Sequence, residues 1–174
     1  MTRQIALLRG INVSGKNMIP MPELAKLCAK LGWKDVRTYI QSGNVVFDAP
    51  AKDAEEKLEG AIHARFGFDI PVIVRSASRW ERYAKAHPFG AVESKFVLLA
   101  LSKRPPLADC AATLTERAQA GEVIQRDGDA VWIHFASGVG RSKLSPAVLD
   151  RLVGSTVTAR NWNTVQKLAE LARA

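Results

Sequence analysis

The stretch Thr38-Tyr39-Ile40-Gln41-Ser42-Gly43-Asn44-Val45-Val46-Phe47 constrains the fold more than any other. Its flanks are rich in β-branched and aromatic residues, which suit a pleated, packed surface. Gly43 and Asn44 tolerate positive φ, which a tight turn needs. The segment therefore predicts two strands joined by a short turn, with Gln41, Ser42 and Asn44 placing polar groups at the tip of an apolar hairpin.

The neighbours of this hairpin extend it into a larger unit. Gln4 to Leu8 reads as a first strand, and its apolar run implies burial on both faces. Arg9 to Pro20 is a polar loop with two glycines. Pro22 suits a first helical turn; Leu24, Leu27, Cys28 and Leu31 follow at helical spacing, and Gly32 is a natural stop. After the hairpin, Pro50 opens a second predicted helix with Ala54, Leu58, Ala61, Ile62 and Phe66 as its buried stripe. Ile70 to Val74 is the fourth strand. The order β-α-β-β-α-β is that of the split-βαβ, ferredoxin-like unit.

The second half repeats the order more loosely. Ser78 to Ala86 is a connecting helix, broken by His87-Pro88-Phe89-Gly90. Phe96 to Leu101 is a strand and Leu107 to Ala120 a helix. Val123 to Arg126 and Ala130 to Phe135 flank the turn signal Asp127-Gly128-Asp129. Ser145-Pro146 starts another helix, Val157 to Ala159 is a short strand, and Asn161 caps a final helix. The expectation is an α+β chain of two tandem ferredoxin-like units with additional helices, residues 1–88 and 89–174, related by duplication.

Composition narrows the function classes. Hydrophobic residues make up 47% of 174, enough for a real core. The net charge is +8, divided as +5 over residues 1–90 and +3 over 91–174, without a Lys/Arg block of the kind that marks a nucleic-acid tail. Two cysteines form neither a disulfide framework nor a metal pattern. The first apolar run is too short for a signal peptide, and none approaches a membrane span. The expected compartment is the reducing cytoplasm, with no membrane partner, metal or cofactor.

In a split-βαβ unit the loop after strand one and the turn between strands two and three lie at one end of the sheet. That places Arg9, Asn12, Ser14, Lys16 and Asn17 near Gln41, Ser42 and Asn44. Two glycines and two cations in such a loop can present N–H groups and charge to an anion. The spacing is not that of a Walker A loop, and the alternative is a connector that satisfies only its own backbone. In the second half, the loop Gly138 to Lys143 and the segment Arg160 to Thr164 fall at one end of the sheet. Arg141, Ser142, Lys143, Arg160, Asn161 and Asn163 would meet a helix N-terminus there, which favours anions. The structural alternative makes Asn161 a cap, Trp162 a core anchor and the arginines partners of carboxylates.

His63, His87 and His134 are scattered in sequence and show no metal or nucleophile spacing. The tryptophans read as core or rim residues. The central strands lack the Lys/Arg-Gly-Phe pattern of an RNA-recognition sheet. Several strands are apolar at both parities, so the sheet face away from the helices must be covered by the other unit, an added helix or a second chain.

Leu8-Arg9-Gly10-Ile11-Asn12-Val13, Tyr39 to Phe47 and Thr158-Ala159-Arg160-Asn161-Trp162-Asn163-Thr164-Val165 together resemble a bacterial family, domain of unknown function 1697. Arg141-Ser142-Lys143-Leu144 is similar to a further family segment, while Ser14 departs from a frequent glycine. The resemblance covers the chain and implies an α+β protein with a ferredoxin-like element and no established activity. The leading expectation is a protein that binds an anionic ligand, either a nucleotide-like small molecule or a nucleic-acid backbone. The alternatives are an enzyme acting on a phosphorylated or carboxylated metabolite and a protein-interaction module.

Overall fold

The computed structural model describes all 174 residues and is an α+β protein with two four-stranded antiparallel sheets and six helices. The chain forms two compact units: Met1–Arg82 together with Lys167–Ala174, and Tyr83–Gln166. No helix is long and apolar enough to cross a membrane.

In the first unit, β1 (Thr2–Leu8), α1 (Met21–Lys30), β2 (Lys34–Tyr39), β3 (Asn44–Ala49), α2 (Ala54–Phe66) and β4 (Val72–Ser76) are followed by the start of α3 (Ala77–Lys85). The sheet order is β2-β3-β1-β4, with every neighbouring pair antiparallel. One face, carrying Ala6, Leu8, Val45 and Phe47, packs on Leu24 and Cys28 of α1 and on Leu58 and Ile62 of α2. Trp33 stacks on Phe47 at a centroid distance of 3.9 Å, a geometry that adds about 0.5–1.5 kcal/mol to the area buried.

In the second unit, β5 (Val97–Ser102), α4 (Cys110–Arg117), β6 (Val123–Asp127), β7 (Ala130–His134), α5 (Pro146–Val153) and β8 (Val157–Asn161) lead into α6 (Trp162–Arg173). The sheet order is β6-β7-β5-β8, again antiparallel throughout. Ala100, Val131, Ile133 and Phe135 pack on Cys110, Leu114, Val148 and Leu149. The opposite faces are buried as well: Ile5, Leu7, Val46 and Ile73 in the first sheet, Leu99, Leu101 and Trp132 in the second.

Local hydrogen bonds repeat between the units. Arg9 N donates to Pro71 O at 3.0 Å, and Lys103 N donates to Thr156 O at 3.0 Å. Ser76 Oγ accepts from Arg79 N at 3.3 Å and Asn161 Oδ1 from Thr164 N at 3.0 Å, so each last strand ends in a residue that caps the helix after it. The outer strands β4 and β8 are bonded by helix side chains. Glu59 and Glu55 on α2 accept from Val72 N and Val74 N, both at 2.8 Å, and Asp150 on α5 accepts from Val157 N at 2.9 Å.

Some boundaries differ from expectation. α2 begins at Ala54, not Pro50, because Gln4 Nε2 holds the carbonyls of Ala49 and Pro50 (3.1 and 3.0 Å) and Asp53 turns the chain at φ 62°. β4 starts at Val72, since Pro71 has no N–H to give a ladder. α4 runs only from Cys110 to Arg117: Leu107 N is drawn to Val153 O, and Ala118 is already extended. At the central turn the positive φ falls on Ile40 (47°) and Gly43 (91°), while Asn44 is the buried first residue of β3.

Candidate functional site

At one end of the first sheet the β1–α1 loop folds into a miniature hairpin. Val13 and Lys16 form an isolated bridge, with Ser14 and Gly15 at φ 51° and 72° between them. Both central residues are left-handed, as a type I′ turn requires. Ser14 therefore occupies a conformation that glycine adopts without strain.

The structure brings Asn12 and Gln41 together. Asn12 Nδ2 donates to Gln41 O at 2.8 Å and to Ile19 O at 3.0 Å, and Asn12 Oδ1 accepts from Ile19 N at 2.8 Å. Asn17 Nδ2 donates to Gly10 O at 3.0 Å. Asn44 Nδ2 donates to Tyr39 O at 2.9 Å and Ser42 Oγ at 3.2 Å. These carboxamides hold the loop and the turn in shape. Lys16 remains solvent-facing beside Val13, Met18 and Ile40, whose side chains are also exposed, while the exposed Gln41 side chain accepts from Asn12 Nδ2 at 3.4 Å.

The second sequence-predicted cluster is distributed similarly. Asn161 is the α6 cap. Ser142 Oγ accepts from Leu144 N at 3.0 Å within the turn that precedes α5. Arg160 is 8% exposed; its Nη1 donates to Thr158 Oγ1 at 2.8 Å and Ala159 O at 2.9 Å. Burial pushes its pKa down to about 10, so it is a protonated core residue at neutral pH. Arg141, Lys143 and Asn163 are exposed.

A cationic recess of about 590 Å3 lies in the second unit, lined by Lys103, Arg104, Ala147, Asp150, Arg151, Ser155 and Thr156. The loop leaving β5 supplies Lys103 and Arg104, α5 supplies Arg151, and the turn before β8 supplies the two hydroxyl residues. Its frame is fixed: Arg104 N donates to Ser155 Oγ at 3.0 Å, Arg104 Nη2 to Gly154 O at 3.1 Å, and Ser102 Oγ to Arg104 O at 2.7 Å. The single lining carboxylate, Asp150, is the one bonded to Val157 N. Sequence reasoning missed this site. Lys103 follows β5 just as Arg9 follows β1, but the run Lys103-Arg104-Pro105-Pro106 reads as an ordinary connector, and Arg151 is 47 positions further on.

The histidines are less scattered in space than in sequence. His87 and His134 both approach the Phe89 ring, at 6.0 and 5.7 Å, and His87 meets Trp162 edge-on at 5.0 Å. No three His, Cys, Asp or Glu side chains converge as ligands to one metal ion would.

Three comparisons with known proteins bear on this arrangement. The whole chain superposes on a conserved bacterial protein from Streptococcus pneumoniae with a TM-score of 0.76 and 24% identity, covering 98% of each chain. That similarity shows a shared fold. No curated protein matches the chain. The model of the family described as protein of unknown function DUF1697 matches residues 1–132. The chain therefore belongs to the DUF1697 family of proteins of unknown function.

Proposed function

We propose that this protein binds a phosphate-bearing ligand, and that the recess of the second unit receives it. The supporting observation is the convergence of Lys103, Arg104 and Arg151 with two hydroxyl residues on one braced cavity. Cations neutralise the phosphate charge, guanidinium groups pair with its oxygens two at a time, and Ser155 and Thr156 add neutral donors. The volume of about 590 Å3 is that of a small-molecule site. We read both units as ferredoxin-like, on their strand order, and as products of a duplication, on their repeated hydrogen bonds. On that reading Arg9 is the counterpart of Lys103.

The test uses a fluorescent nucleoside triphosphate, inorganic pyrophosphate and a single-stranded oligonucleotide. Lys103→Ala and Arg151→Ala should each weaken triphosphate binding by about tenfold, as loss of a charge-assisted contact does. If the backbone of nucleic acid is the ligand, the log–log salt slope will be roughly −0.7 per phosphate neutralised. Lys103→Ala/Arg151→Ala should then reduce that slope. Absence of saturable binding to all three probes, or binding indifferent to Lys103 and Arg151, refutes the proposal.

A further inference from the structure

A different recess of the second unit, about 350 Å3, lies where the chain leaving α3 passes the outer strand β6. His87 and Pro88 line one side, the buried Trp132 lies at its base, and Gln125, Arg126 and Asp127 line the β6 side, with Arg126 Nε donating to Gly128 O at 3.0 Å. Gln125 is opposite Trp132 in the ladder and Asp127 is opposite Ala130. Both side chains therefore stand on the Trp132 face of the sheet, the face away from α4 and α5.

The walls are held in place before any ligand arrives. The Tyr83 hydroxyl donates to Asp129 Oδ2 at 2.6 Å, which pins the β6–β7 turn, and Gln166 Nε2 donates to Ala84 O at 2.7 Å. His87 Nδ1 accepts from Phe89 N at 3.2 Å, so the neutral ring carries its proton on Nε2. Behind it, Trp162 meets His87 at 5.0 Å and Trp132 at 5.8 Å. The Gln125 and Asp127 side chains contrast with these braces: both are exposed, and neither has a hydrogen-bond or ion-pair partner within the chain.

We propose that this recess binds a purine of the guanine type, with its ring against His87 and Pro88 over the buried Trp132 and its N–H edge on the Asp127 carboxylate. An ionised carboxylate only accepts hydrogen bonds, and its two oxygens match two coplanar N–H donors. Guanine carries such a pair at N1 and the 2-amino group; adenine and uracil do not. The Gln125 carboxamide, with one donor and one acceptor end, serves the remaining polar edge. The partly exposed His87 ring plane supplies stacking of the kind that recognises a base without charge, with the edge of the buried Trp132 beneath it. The site needs no phosphate and stands apart from the cationic recess, so either can fail without the other.

The test is a titration of the full chain with guanosine, adenosine and uridine, followed by tryptophan fluorescence and checked by calorimetry. Guanosine should quench saturably and bind about tenfold or more tighter than adenosine. Asp127→Asn should weaken guanosine by about tenfold or more, and Gln125→Ala by severalfold, with circular dichroism unchanged because both positions are exposed. His87→Ala should weaken all purines that bind, by loss of a stacking face. No saturable guanosine signal, no preference over adenosine, or equal affinity in Asp127→Asn would each overturn the assignment.

Discussion

Replacing Gly43 with alanine separates two costs that the central turn imposes. Gly43 sits at φ 91°, where a side chain strains the backbone by about 1–2 kcal/mol. A Cβ there would also lie 2.7 Å from Ile11 Cδ1 and 2.8 Å from Leu8 Cβ. The Ile11 tip can move. Leu8 Cβ is fixed on the central strand β1, and Leu8 N donates to Gly43 O at 2.9 Å, so the two backbones cannot part without losing that bond. Overpacking of this kind costs about 1–3 kcal/mol more. The expected total is about 2–5 kcal/mol, against a typical domain stability of about 5–15 kcal/mol. Gly15→Ala is the control: φ is 72° but nothing lies within 4 Å of the added Cβ, so only the backbone cost remains. Urea unfolding, followed by circular dichroism and by fluorescence that includes Trp33, gives both values. The corresponding fall in Tm for Gly43→Ala is about 4–20 °C. If the two variants agree within about 0.5 kcal/mol, the close approach of the turn to β1 is not a constraint and the packing argument fails.

Three further outcomes follow from the same structure. Asn12→Ala removes the clamp on Ile19 and Gln41 and should cost about 1–3 kcal/mol, with faster amide exchange over residues 9–20; unchanged exchange would mean the loop holds itself. Cys28 and Cys110 are fully buried, and burial pushes the Cys28 thiol up to about 12 and raises that of Cys110. A disulfide reagent at pH 8 should label neither in the native protein and both in urea; prompt native labelling contradicts this. His87 is held below the ordinary histidine pKa, first by burial and then by the neighbouring His134. The native state thus binds fewer protons than the unfolded chain as pH falls from about 6.5 toward the native value, and stability should decline through that window. His87→Gln should flatten the decline, and an unaltered pH profile would show that His87 is not its source.

Strand positions were largely legible because their apolar runs are short, β-branched and bounded by turn residues. Gly32, Gly67 and Ser145 marked helix ends and starts for reasons the structure retains: positive φ at the two glycines and a hydroxyl cap at Ser145. The start of α2 was not legible, since Pro50 is as good a first-turn residue as any and only the distant Gln4 commits it to a loop. The start of α4 was hidden in the same way, by the long-range bond from Leu107 to Val153. For the polar residues, sequence reasoning identified which loops meet but not how their side chains are spent. Asn12 and Gln41 do meet, yet Asn12 is saturated by backbone groups. Arg104 and Arg151 gather only after α5 has packed, a relation that no local pattern encodes. Ser76 and Asn161, caps at matched ladder positions, share no residue type that would have disclosed the correspondence.

The glutamate and aspartate bonds to β4 and β8 couple two kinds of periodicity. Glu55 and Glu59 recur every four residues on a helix, while Val72 and Val74 recur every two on a strand. The two spacings coincide in one alignment alone, so the helix acts as a gauge against which the strand is measured. A slip by one residue would turn Ile73 N–H toward the carboxylates and leave them facing groups already committed to β1. The same carboxylates occupy the outward donors through which a stray strand would otherwise zip on. Pairing of a further strand along the β4 margin is accordingly disfavoured, whereas on β8 only the first outward donor, Val157 N, is spent in this way.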